Sequence, residues 1–185
     1  MTITKLATLT ASGVSSASFS GISGSYDDLK ILGSAHTDDA TPSWGNTTPY
    51  QVMTIQFNSD SSSVYFVSYG YATGTTPTGV TDGWTSYTSA QEISVPLAPN
   101  SYSSQDDFSA IEMYVPAYSG SRQKKCRVQG SFMTPYASAG GPNPLSIMGN
   151  GGWDNTSAIT SITFAANYGD FVSGTSFTLY GISNS

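Results

Sequence analysis

Alternation with a period of two runs through almost the whole chain, and it narrows the possible folds more than any other feature. In Tyr50-Gln51-Val52-Met53-Thr54-Ile55-Gln56-Phe57, apolar residues at Tyr50, Val52 or Met53, Ile55 and Phe57 alternate with Gln and Thr. Successive side chains of a strand point to opposite faces, so such a segment suits a half-buried strand. The same reading fits residues 3–9, 14–19, 29–36, 64–71, 93–97, 108–115, 126–133, 159–165 and 177–182, which makes about ten short strands. Turn clusters separate them, among them Ser23-Gly24-Ser25, Asp60-Ser61-Ser62-Ser63 and Gly140-Gly141-Pro142-Asn143-Pro144. Helical spacing is nearly absent. One turn after Ser104, with Asp106 and Asp107 in its first turn, is the best candidate.

Ten strands in one open sheet would leave exposed edges, so the expectation is all-β: an antiparallel, jelly-roll-like β-sandwich in a single domain spanning 1–185. Two long connections interrupt the pattern, residues 72–90 with Trp84 and Tyr87, and residues 135–157 with Met148 and Trp153. Loops of that length are either functional or anchored by a side chain that plugs the end of the sandwich. The Gly149-Asn150-Gly151-Gly152 run reads as a tight or flexible turn, since no Lys-Ser/Thr ending follows it to make a phosphate loop. The alternating run at 3–9 ahead of Gly13 makes residues 1–12 a candidate arm or exchanged strand.

Composition bears on partners. Charged residues are only 10% of the chain and the net charge is -6, so polarity comes from hydroxyls and amides. Four of the six basic residues, Arg122, Lys124, Lys125 and Arg127, are packed into one segment, which leaves no broad cationic face for nucleic acid. No apolar run reaches the length of a membrane span, and the opening MTITKLATLTASG has no signal-type apolar core. The single Cys126 excludes an internal disulfide and a zinc site with several Cys ligands. The N-x-[ST] matches at Asn46 and Asn155 carry little weight without such a signal.

Catalytic constellations are sparse. His36 is the only histidine, so any Ser-His or Cys-His scheme would run through it, and no G-x-S-x-G elbow accompanies it. It reads more readily as a strand-end or surface residue. Glu92 and Glu112 are the only glutamates, both in predicted strands, and the Asp27-Asp28, Asp38-Asp39 and Asp106-Asp107 pairs suit turn and cap chemistry. A calcium loop pattern is absent, and no cofactor is expected. The expectation is a chain that is not an enzyme.

Two features remain as candidate binding sites. In alternation Lys124 faces away from Lys125, so the basic segment is either a solvated edge that discourages aggregation or a contact for an acidic neighbouring surface. Trp44, Trp84, Tyr87, Tyr102 and Trp153 stand in apparent loops, where aromatic faces could stack on sugar rings or simply anchor the loops.

The segment 19–32, with Phe19, Ile22, Tyr26, Asp28 and Leu29, reads F-x-x-I-x-x-x-Y-x-D-L, and in this it resembles the first strand pair of small β-sandwich structural proteins of tailed-bacteriophage virions. Met53-Thr54-Ile55-Gln56-Phe57-Asn58-Ser59-Asp60, followed by Tyr65, resembles the pattern that comes next. Residues 159–164 and 169–182, ending Phe177-Thr178-Leu179-Tyr180-Gly181-Ile182, resemble their closing hairpin. The resemblance frames the chain and leaves roughly 72–155 unaligned. It implies a virion component assembled in the host cytoplasm, decorating the capsid or forming a head-fibre or tail appendage. The partners it implies are two further copies in a homotrimer and a capsid or other virion protein. The alternative function is a carbohydrate-binding module that recognises a host surface glycan through the loop aromatics.

Overall fold

The computed structural model describes residues 1–39, 50–76, 79–99, 107–134 and 143–184. Ten strands lie where alternation predicts them: β1 (Thr2–Ala11), β2 (Ser16–Phe19), β3 (Asp28–Ala35), β4 (Tyr50–Phe57), β5 (Tyr65–Thr76), β7 (Ile93–Pro99), β8 (Ser109–Val115), β9 (Lys124–Thr134), β11 (Ile162–Ala166) and β12 (Thr175–Ser183). Two more, β6 (Gly79–Ala90) and β10 (Asn143–Trp153), occupy stretches expected to be loops. The long connection at 72–90 is a β5–β6 hairpin, paired from Tyr65↔Ala90 to Thr76↔Gly79. The expected helical turn after Ser104 falls mostly outside the described residues.

Among the described residues, twelve antiparallel strands form two sheets, ordered β1-β12-β3-β8-β9-β10-β5-β6 and β2-β11-β4-β7. Set β5, β6, β9 and β10 aside, and the remaining eight strands fall into layers of order first-eighth-third-sixth and second-seventh-fourth-fifth. That is jelly-roll wiring, in which most successive strands cross from one sheet to the other. Segments expected to pair as hairpins therefore do not: β2 and β3 lie in different sheets, as do β11 and β12. The other four strands extend the larger sheet beyond β8.

The Gly-rich run of β10 is the clearest departure from expectation. It is a central strand between β9 and β5, in register from Asn143↔Thr134 to Trp153↔Lys124. Glycine is required there by close approach. A Cβ on Gly151 would sit 2.8 Å from Ile93 of the facing sheet, and one on Gly152 would fall inside the Phe66 ring. Glycine weakens alternation as a signal because it belongs to neither polarity class.

The core lies between the layers. Phe164 stacks on Phe177 across the sheets at 4.5 Å between ring centroids, and Phe171 meets Phe177 edge-on. At the start of the extension, Tyr65, Trp153 and Phe57 form a second aromatic group, with ring centroids 6.0 to 6.4 Å apart. The Tyr65 hydroxyl, on the large sheet, donates to the Phe57 carbonyl at 3.1 Å and accepts from the Phe57 N–H at 2.9 Å, on the small one. Burial pushes that phenol up to about 12, so it stays neutral and able to donate. Phe132, Leu145 and Ile147 make a smaller cluster at the far ends of β9 and β10. The arm candidate β1 is paired within its own chain, from Thr2↔Ser183 to Ala11↔Thr175.

Candidate functional site

Alternation on β8 and β9 distributes the basic segment. On β8, Ile111, Met113 and Val115 point inward, leaving Ala110, Glu112 and Tyr114 outward; on β9, Lys124, Cys126 and Val128 are inward. Lys125 and Arg127 thus face solvent from the outer surface of the large sheet. Arg122 stands in the exposed connection before them.

Lys124 is therefore not part of a docking face. Only 1% exposed, it donates through Nζ to the carbonyls of Gly120 (2.6 Å), Arg122 (2.5 Å) and Thr156 (3.2 Å). Burial without a carboxylate partner holds its pKa below the usual lysine value. Its role is to staple the β8–β9 connection to the loop after β10. Arg127 is also occupied, with Nη2 3.5 Å from Glu112, which Lys30 approaches from the other side at 2.9 Å. The pairs are partly exposed, so each contributes at most about 1 kcal/mol.

The β8–β9 connection is tied down from several sides. Asp28, buried at the start of β3, accepts from the Ala117 N–H (2.9 Å), the Tyr114 hydroxyl (2.7 Å) and the Asn184 amide (2.9 Å). Burial alone would raise its pKa, yet these three bonds together hold the carboxyl below its ordinary value. Tyr118 is buried and donates to the Ser23 carbonyl, while the Ile159 N–H reaches the Tyr118 carbonyl at 3.0 Å. Gln123 bonds Asp154. Ala117 holds a φ of 48°, which a side-chain-bearing residue keeps only when its surroundings impose it. Above this anchored turn, Pro116, Ala117, Gly120, Ser121, Arg122, Gln123 and Lys125 line an open depression of about 710 Å³.

A second depression, about 430 Å³, lies on the outer face of the large sheet. Small residues of β8, β9 and β10, namely Ala110, Gly130, Ser131 and Ser146, form its floor, with Leu32, Glu112, Gln129 and Met148 around them. Leu32 is 40% and Met148 64% exposed at its rim. The sequence alone does not single out Leu32 and places Met148 in an expected loop, whereas the outward register of β3 and β10 sets both on this face.

Of the aromatic set, only Trp153 and Tyr87 have described side chains. Trp153 is a core residue, 1% exposed, its indole N–H donating to Asp60 at 2.7 Å, so it offers no stacking face. Tyr87 is 39% exposed. The backbone of Trp84 pairs with Gly70 in β6, but its side chain, like Trp44 and Tyr102, lies outside the described residues.

The remaining chemical candidates are engaged structurally. His36 is buried just past β3, its Nδ1 2.7 Å from the Asp107 carbonyl, rather than at the surface. Burial pushes the Cys126 thiol up to about 12, far from the thiolate a nucleophile needs. Glu92 sits in the bend before β7 rather than in a strand. Asp27 and Asp38 accept backbone N–H bonds from Asn184 and Asp170, each at 2.7 Å, so they tie distant segments together instead of closing the local turns expected of them. Among the described residues no three His, Cys, Asp or Glu side chains converge as metal ligands, and no helix is long and apolar enough to cross a membrane. Comparison with family models, curated proteins and solved structures finds no match to this chain.

Proposed function

We propose that this chain is a structural virion protein of the bacteriophage decoration or appendage kind, acting as a homotrimer through protein–protein contacts. The observation that supports the reading best is the broad outer face of the eight-stranded sheet, with Leu32 and Met148 exposed around a floor of small residues. Solvent-facing apolar groups on paired strands suit a flat protein partner, because the backbone that carries them is already ordered before docking. The Lys30–Glu112–Arg127 cluster beside the trough supplies direction to such a contact. The residues that carry the family resemblance have core roles, with Phe19, Ile22, Leu29 and Phe57 all buried. They support the scaffold and leave the outer face of the large sheet for the contact.

Two measurements test the proposal. Native mass of the purified protein is expected to be three times 19.4 kDa, and a monomer at working concentration overturns the trimer. Mass spectrometry of purified virus particles from the source is expected to find the chain in multiples of three copies. Its absence from the particles overturns the virion role.

A further inference from the structure

Among the described residues, cations fall into three groups. Lys30 and Arg127 share Glu112, and Lys124 is buried on backbone carbonyls. Lys5, Arg122 and Lys125 are exposed with no carboxylate within ion-pairing distance. Two of the three, Arg122 and Lys125, line the same depression. The turn that carries them is held by bonds from Asp28, Tyr118 and Lys124, all buried beneath it. A preorganised turn spends little ordering entropy on binding.

We infer that the depression formed by Pro116, Ala117, Gly120, Ser121, Arg122, Gln123 and Lys125 is a docking site for side-chain carboxylates of an acidic protein segment. The inference rests on the assembly reading, of which it names one contact. A carboxylate can take a forked bond from the Arg122 guanidinium while Lys125 adds a second positive charge. Pro116 and Ala117, both exposed, offer apolar contact for the rest of the segment. The chemistry favours protein carboxylates over a nucleic-acid backbone. A phosphate backbone is held by a track of cations along its length, and this depression offers only two. The depression is also wide and open, which suits a protruding segment of a partner better than an enclosed small anion.

The test is fluorescence anisotropy with a labelled hexaglutamate peptide and the full chain. Binding is expected at about 0.05 M salt and should fade by about 0.5 M. The Arg122→Gln/Lys125→Gln double variant should bind roughly tenfold more weakly with an unchanged melting temperature, and Lys125→Gln alone should lie between. Lys5→Ala, a free cation elsewhere, should bind as the parent does. Equal binding by the double variant, or none by the parent at millimolar peptide, overturns the site. Tighter binding of a single-stranded oligonucleotide than of the peptide overturns the carboxylate assignment. A parent that binds the peptide but is missing from virus particles overturns the virion reading and leaves the site standing.

Discussion

The jelly-roll layers and the four-strand extension follow different packing rules. Where both layers are present, strands meet across the core through large rings, and Phe164 and Phe177 stack at 4.5 Å. Beyond the Tyr65–Trp153–Phe57 group the facing layer narrows to β7, and the inner surface of β10 has glycines at 149 and 151, the first against Tyr69 of the neighbouring β5 and the second against Ile93 of β7. The first region is stabilised by volume contributed from both sides, and this part of the second by the close approach of one sheet to a single strand. The trough of small residues, with the exposed Leu32 and Met148, straddles the two regions on the outer face, from β3 and β8 to β9 and β10.

That contrast can be broken experimentally. The largest effect is expected for Phe164→Ala, which opens a cavity between two complete layers and should cost about 3–5 kcal/mol in urea unfolding. Leu145→Ala, in the satellite cluster, should fall near the lower end for such truncations, about 2 kcal/mol, and an equal loss would erase the distinction. Gly151→Ala should cost about 1–3 kcal/mol by forcing a methyl against Ile93. Adding Ile93→Val, which removes Cδ1, should recover part of that loss; additivity of the two would show that the clash is not the cause.

Lys124→Met should cost about 1–3 kcal/mol, because the Gly120, Arg122 and Thr156 carbonyls lose their donor. Lys125→Met, one residue on, is expected to leave the unfolding midpoint unchanged. The smallest effect concerns pH. The Asp28 carboxyl has a folded-state pKa below its unfolded value near 3.8, so its contribution is present above that value and is lost as pH falls through the folded one. Asp28→Asn should flatten the acid limb of the stability profile below about pH 4, with little change in slope at neutral pH.

Legibility in the sequence followed side-chain volume. Strands with large residues at every second position, such as β4 and β8, are found where alternation places them, because inward positions there need bulk. β6, rich in Thr and Gly, and β10, with three glycines, were mistaken for loops. The absence of a side chain in β10 serves neighbouring strands that the local sequence does not contain. Trp153 was misplaced for the same reason: a tryptophan at the end of a Gly-rich run looks exposed until Tyr65, Phe57 and Asp60 are brought around it.

The basic segment was half legible. Alternation alone separates Lys124 from Lys125 and sets Arg127 on the outer face. It could not show that Glu112, on the neighbouring strand, occupies Arg127, nor that carbonyls from three separate positions enclose Lys124.

The sequence by itself determined an all-β chain, since strands with a period of two and turn residues between them must bury one face of each, in a sandwich or a barrel. Only the tertiary structure decided which strands neighbour which, that the larger sheet reaches eight strands, and that two of four clustered cations are left without partners. Those outcomes depend on contacts between residues far apart in the chain, and local pattern carries no record of them.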